Sequence, residues 1–324
     1  MNCAPPGGWL CSARQMLLLR SHSGRRLRPL VSATPWHCAR RRGFGSGSTT
    51  ADKIPLTSTV LTQGVPVGAD GARDWSRPLQ QPAAQRFVGK NAVVTGSRMG
   101  VGFVIARTLA AEGANVCLVD LRDASDAVGV ISADGGPGSI TQVQCDITDE
   151  AQVVAMAAEV SEIFGGECDV LINNAGYNGK CQLVRDMKLE DWEFTMKVNL
   201  TGTMLVTREL IPLLESGGGG GGKICNLASN VARRGLPYRA DYVCSKWAVI
   251  GLTQTLAHEL VDAGVRVNCV CPGPIEGERI EQVMDMHMQA EGHSECKLKP
   301  RLSQTQSVAT DTLMHTGIAR VDYS

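Results

Sequence analysis

No stretch of 18 or more consecutive apolar residues occurs in this chain, so a membrane-spanning helix is not expected. Asp and Glu are missing altogether from residues 1–51, where eight arginines fall. The whole chain is neutral, which leaves the remaining residues with a net charge of −8, and an acidic body is a poor binder of nucleic acid. The twelve cysteines include no C-x-x-C pair, and His258-Glu259 lacks the second histidine of a zinc-binding H-E-x-x-H helix. No metal site is expected. Cys117, Cys225, Cys269 and Cys271 lie in apolar runs, where a free thiol acts as a small hydrophobe and a reducing compartment is implied.

What is present begins with an address. The basic, Ser-rich, acid-free start reads as an organelle transit peptide over residues 1–44. "RRRGFGS" (Arg40–Ser46) resembles a mitochondrial processing site, with Arg42 two residues before Phe44 and cleavage after Phe44. A chloroplast transit peptide is the alternative. Residues 45–86 carry neither helical nor strand periodicity and read as a linker.

From Asn91 the chain alternates. Short apolar runs at 92–95, 115–120, 139–145, 168–174, 223–228 and 265–271 read as strands. Helical patterns separate them at 102–113, 149–165, 189–215 and 240–264. Strands alternating with helices predict an α/β, Rossmann-like, doubly wound parallel sheet covered on both faces, over residues 87–293. Six consecutive glycines at 217–222 read as a solvent-exposed loop insert without function.

Two stretches carry chemistry. "VVTGSRMGVGFVIARTLAAEGANVCLVD" gives strand, glycine turn, helix and strand. Gly96 permits the tight turn, and Gly100 and Gly102 allow close approach of phosphate and close helix-to-strand packing. Asp120, ending the second strand, suits the adenosine ribose hydroxyls and repels a 2′-phosphate, which favours NAD; Arg98 and Arg122 argue for NADP. The second stretch is "ASNVARRGLPYRADYVCSK" (Ala228–Lys246), with Tyr242 and Lys246 at i and i+4 on one helical face and Ser229 thirteen residues before the tyrosine. A phenol beside an ammonium has its ionised form favoured, which brings a group that ordinarily titrates at roughly 10 towards use at neutral pH.

The motifs "TGSRMGVG" (95–102), "CDIT" (145–148), "NNAG" (173–176), "KVNL" (197–200), "NLAS" (226–229), "YVCSK" (242–246) and "PGPI" (272–275) stand in one order at characteristic spacings. In these the chain resembles the short-chain dehydrogenase/reductase family, from about Phe87 to Ile275. The resemblance implies Asn199, Ser229, Tyr242 and Lys246 as the catalytic set. Asn199 would hold a water in a proton relay, Ser229 would bind the reacting oxygen, Tyr242 would be the general acid/base, and Lys246 would bind the nicotinamide ribose. The cofactor would also meet Gly96, Arg98, Met99, Gly100, Gly102, Asp120, Asp146, Ile147, Asn173, Ala175, Gly176, Pro272, Gly273 and Ile275. The implied activity is NAD(P)-dependent interconversion of a secondary alcohol and a ketone, a 3-oxoacyl thioester being one candidate substrate.

Only 49 residues follow Ile275, where the family usually has a substrate lid, a helix and a last strand. Residues 276–292 read as a lid helix whose methionines suit an adaptable pocket. Residues 294–324 show no strand ending in the expected glycine turn, which would leave the sixth strand at the sheet edge. A homodimer is compatible with this, whereas the family's tetramer, built with that last strand, is not expected. The rival expectation is a Rossmann-like protein that binds a nucleotide or a partner without turnover.

Overall fold

The computed structural model describes residues 85–275 and 278–291. The segments read as transit peptide, most of the linker and the C-terminal tail lie outside those residues.

Six strands form one parallel sheet: β1 (Asn91–Thr95), β2 (Asn115–Asp120), β3 (Ile140–Gln144), β4 (Val170–Asn173), β5 (Lys223–Leu227) and β6 (Arg266–Val270). Their spatial order is β3-β2-β1-β4-β5-β6. Each expected strand is present: β1 begins one residue earlier, β2 has the expected bounds, and the other four are shorter by a residue or two at their ends. The order reverses between β1 and β4, and a crevice opens where the connections leave their C-terminal ends in opposite directions. The glycine turn follows β1 and Asn173–Gly176 closes β4, so the topology itself brings these two segments together.

The helices are α1 (Gly100–Ala111), α2 (Ser125–Ala133), α3 (Glu150–Phe164), α4 (Leu189–Met196), α5 (Thr203–Ser216), α6 (Ala240–Glu259) and α7 (Glu278–Glu291). Alternation along β1 shows why both faces are covered. Val93 joins a core with Val153 and Met156 of α3, Leu205 and Leu210 of α5, and Leu256 of α6. Ala92 and Val94 face the opposite side, against Ala106, Leu109 and Ala110 of α1 and Ile131 of α2. Adjacent strand residues point to opposite faces, so a strand buried on both sides must be apolar throughout. α3 is bounded by its own sequence: the Asp149 carboxylate accepts from the Gln152 amide, and Gly165 ends the helix at φ +66°.

Three features differ from the sequence expectations. α2 went unread because its nine residues are short for a helical pattern and include Gly129. The helix expected as one piece over 189–215 is divided by a π-turn at Lys197–Gly202. The glycine run is not wholly exposed. Gly217 and Gly222 are buried, and a Cβ on Gly217 would lie 2.0 Å from the Cys168 carbonyl oxygen. A Cβ on Gly221 would lie 2.3 Å from the Gly264 carbonyl carbon. The ends of the run fit places where no side chain could; only Gly218–Gly220 face solvent.

Candidate active site

The nucleotide end of the crevice is built from backbone. Gly96 turns at φ +62° and donates its amide to the Val119 carbonyl at 2.7 Å. A Cβ on Gly96 would lie 2.7 Å from Ala175 Cα, and one on Gly102 would lie 2.2 Å from the Gly96 carbonyl oxygen. Gly100, at φ +63°, has nothing within 4 Å of its Cβ position. It opens α1, which has no side-chain cap and no acidic residue in its first turn. The uncapped first-turn amides and the open space before them fit a pyrophosphate.

Asp120 braces the same turn. One carboxylate oxygen accepts from the Arg98 amide at 3.0 Å and the other from the Arg122 amide at 3.2 Å. The Arg98 side chain runs to the Asp123 carbonyl at 3.0 Å, and Met99 is more than half exposed. Asp146 accepts from the Thr148 amide at 2.8 Å. The Ile147 side chain is buried in the core, where its Cδ1 would lie 2.7 Å from a Cβ on Gly202.

The sequence reading missed the clamp that joins the two segments. Thr95 Oγ1 accepts from the amides of Asn174 and Ala175 at 3.1 and 3.0 Å. The Asn174 side-chain amide donates back to the carbonyls of Thr95 and Gly96 at 2.9 and 2.8 Å. A threonine directly before the turn glycine and a second asparagine in "NNAG" were the available signal. Asn173, by contrast, is turned inward: its amide donates to Thr207 Oγ1 and Asn226 Oδ1 at 2.9 and 2.8 Å. Asn226 in turn donates to Thr253 Oγ1 at 3.0 Å. This row of buried polar groups ties β4 and β5 to α5 and α6.

The catalytic end is built from side chains. Ser229 lies two residues beyond β5, and its Oγ accepts from the Val231 amide at 3.4 Å. Its own hydroxyl proton therefore remains to be donated elsewhere. Tyr242 and Lys246 share the first turns of α6, with the Lys246 ammonium 5.9 Å from the Tyr242 ring centroid. Lys246 is 5% exposed and donates to the Leu227 carbonyl at 2.8 Å, which fixes it at the end of β5. Asn199 sits in the π-turn with no exposure. Its side chain accepts from the Tyr177 amide at 2.7 Å and donates to the Tyr177 carbonyl and to Ser245 Oγ, both at 2.9 Å. Ser245 donates on to the Tyr242 carbonyl at 2.8 Å. Asn199 thus braces the loop after β4 against the helix that carries the tyrosine. A π-turn is a common way to insert such a residue without ending the helix.

Pro272 accepts from the Asn230 amide at 2.9 Å, holding the segment of Pro272, Gly273 and the partly exposed Ile275 beside Ser229. Just before it, the Cys271 thiol is pulled down to about 7 because the Cys269 thiol donates to it, with Arg233 and Lys246 adding positive field. Cys269 is correspondingly pushed up. Elsewhere burial is the main cause that pushes the Cys117 and Cys168 thiols up to about 12.

The order of these motifs matches the short chain dehydrogenase family model over residues 90–287. The chain belongs to that family. It is an oxidoreductase of the NAD(P)-dependent short-chain type, acting on CH–OH groups. It is 34% identical to a D-beta-hydroxybutyrate dehydrogenase of Rhizobium meliloti over 212 residues, 64% of this chain and 79% of the relative. A 3-oxoacyl-(acyl-carrier-protein) reductase of Thermotoga maritima is 36% identical over 198 residues, 61% of this chain and 79% of the relative. Among solved structures, an NAD⁺-bound xylitol dehydrogenase superposes with a TM-score of 0.60 at 31% identity, covering 63% of this chain and 78% of that one. A carveol dehydrogenase from Mycobacterium avium in complex with NAD gives 0.55 at 26% identity, covering 58% and 71%. Among the described residues no helix is long and apolar enough to cross a membrane.

Proposed function

We propose that this short-chain dehydrogenase interconverts a small-molecule secondary alcohol and its ketone, with Tyr242 as general acid/base and NAD as the preferred cofactor. One observation carries the reading. Ser229 beyond β5 and the Tyr242–Lys246 pair on α6 are held at the same strand ends as the uncapped start of α1. Gly96, Gly100 and Gly102 would admit the pyrophosphate, Asp120 would take the adenosine ribose hydroxyls, and Lys246 the nicotinamide ribose. When bound, the nicotinamide supplies hydride acceptance or donation at the substrate carbon.

The chain's own residues handle the oxygen. The Ser229 hydroxyl, its lone pair already engaged by the Val231 amide, donates to the substrate oxygen and stabilises charge developing there. The Tyr242 hydroxyl gives its proton to that oxygen in reduction and takes it back in oxidation. Lys246, fixed by the Leu227 carbonyl, keeps a positive charge near the phenol. Asn199 and Ser245 hold the first turn of α6 against the β4 loop, so the phenol does not drift.

Asp120 supports NAD over NADP, because a carboxylate at this position repels a 2′-phosphate. The acid-free, arginine-rich start supports mitochondrial import as part of the same reading. The named relatives act on a hydroxy acid and a 3-oxoacyl thioester, and both chemistries fit a catalytic centre of this kind.

The test is turnover of a panel of secondary alcohols with NAD by wild type and Tyr242→Phe. The variant is expected to lose on the order of 10³-fold or more in kcat while binding NADH as wild type does. Activity within a few-fold of wild type would overturn the assignment.

A further inference from the structure

The loop at 177–182, which leaves β4 for α4, is tied down from two sides. Asn199 holds Tyr177 by both its amide and its carbonyl. The rest is held by the residues that lead into α6. The Tyr238 carbonyl accepts from the Gln182 amide at 2.9 Å, and Gln182 and Arg239 pair as an isolated parallel bridge. Arg239 Nη2 donates to the Asn178 carbonyl at 2.5 Å, and Nη1 to Cys181 Sγ at 3.7 Å. The Asp241 carboxylate lies against Gly179, where a Cβ would fall 2.2 Å from Oδ2. Gly179 also turns at φ +71°, so only a glycine suits the place. From α4, Thr195 Oγ1 donates to the same Asp241 oxygen at 2.8 Å.

Arg239 is 2% exposed and Asp241 has no exposure at all. One charge so buried would be costly, but these are opposite in sign and two residues apart, so each offsets the other. Arg239 Nε and Asp241 Oδ1 both lack a hydrogen-bond partner, so the pair is held by the loop and α4 rather than by a direct contact. Both charges reach the loop: burial raises the Cys181 thiol, Arg239 pulls it down and Asp241 pushes it up. Apolar residues of similar volume would fill this space with no loss of stability. What the charged pair adds is direction, because its donors and acceptor grip successive residues of one short loop. Tyr242 follows Asp241 directly, and its ring lies against the Arg239 guanidinium, with Cζ 4.7 Å from the centroid.

We propose that Asp241 is a positioning residue: with Arg239 as its counter-charge it forms a buried clasp that locks residues 178–182 against the start of α6 and so fixes the protein wall beside Tyr242. The effect on turnover rests on the role given to Tyr242 above; the clasp itself does not. The backbone before α6 is shaped for it. Tyr238 takes a left-handed turn at φ +63°, rare for a tyrosine, immediately before Arg239. Its ring meets His287 of α7 edge-on at 6.1 Å, which secures the turn from the other side.

Two readouts on the full chain test the proposal. Backbone hydrogen exchange, followed by mass spectrometry, reads the order of the loop without substrate or cofactor. In Asp241→Ala the amides of 177–182 are expected to exchange at least about 5-fold faster, while those of β1 keep their wild-type rates. Gly179→Ala leaves every charge in place but displaces the carboxylate, and should loosen the loop in the same way. If Asp241→Ala does not fold, the near-isosteric Asp241→Asn carries the measurement. A folded variant whose loop exchanges as in wild type overturns the proposal. So does equal acceleration in the loop and in β1, which marks a residue that only stabilises the fold. The second readout is turnover of the best alcohol in the panel. In Asp241→Ala kcat should fall at least about 10-fold with NADH affinity within a few-fold of wild type. Asp241→Asn, which keeps an acceptor for Thr195, should recover part of that loss. Undiminished kcat in a protein whose loop has loosened overturns the link to catalysis. An active Tyr242→Phe enzyme is a separate outcome: it would sink the catalytic role of the phenol and leave the exchange result standing.

Discussion

The two halves of the crevice are built by opposite means. The nucleotide half leaves room beside its turn: Gly96 and Gly102 stand where a Cβ would strike neighbouring atoms, and the first-turn amides of α1 have no side-chain cap. The catalytic half is crowded with buried polar side chains. Asn173, Thr207, Asn226 and Thr253 form one chain of hydrogen bonds, and Asn199 and Ser245 another. A pyrophosphate is large and anionic, and many amides can share it, so the first half needs room and direction. A proton transfer needs a few atoms placed within tenths of an ångström, so the second half needs bracing in every direction. Damage to the first half should appear as lost cofactor binding, and damage to the second as lost turnover or lost stability.

The sharpest way to break that contrast is Gly102→Ala. Its added methyl would lie 2.2 Å from the Gly96 carbonyl and 2.4 Å from Asn174 Nδ2, both of them parts of the clamp. NADH affinity is expected to fall by at least roughly 100-fold, about 3 kcal/mol, as measured by fluorescence titration. A variant that binds normally would mean that the turn is looser than its contacts imply. Next comes Asn226→Ala, which removes one buried hydrogen-bond partner each from Asn173 and Thr253. It should cost about 1–3 kcal/mol in urea unfolding while leaving NADH affinity within a few-fold in the protein that remains folded. Equal loss of both properties would erase the distinction between the halves.

The smallest expected effect concerns Cys271. Its folded-state value lies below the ordinary thiol value of 9.0, at about 7. A depressed acid is stabilising above its unfolded value, and the gain disappears as pH falls through the folded one. Wild type should therefore gain stability relative to Cys271→Ala as the pH rises from 7 to 9, read by urea unfolding at each pH. A difference that stays flat with pH would show that the Cys269–Cys271 pair shares its proton differently.

Most of the sheet was legible because a parallel strand covered on both faces must be apolar at every position, and such runs stand out between helices. Ser229, Tyr242 and Lys246 were legible because one strand end and one helical face fix their spacing. Arg239 was not, although it lies three residues before Tyr242. Nothing in a sequence distinguishes an arginine that folds back under a helix from one that extends into water. The distinction is made by the left-handed turn at Tyr238, a conformation that a tyrosine does not announce. Asn174 was passed over for a similar reason. Its partners are backbone atoms of Thr95 and Gly96, some 79 residues away in sequence, and a bond to backbone leaves no mark in its partner's identity. α2 was missed because its helix is held by docking on the sheet through Ala127 and Ile131 more than by local preference.

The glycine run between α5 and β5 has closely packed ends and an exposed middle. Gly217 is held against Cys168, and Gly221 and Gly222 against Gly264 and Leu214, while Gly218 to Gly220 face water. Lengthening such a tether costs little, about 0.6 kcal/mol for each doubling of a flexible loop, and moves neither anchor. The exposed middle is therefore a natural port: a peptide tag or small reporter spliced between Gly219 and Gly220 would hang outside the sheet without disturbing the crevice at its other end.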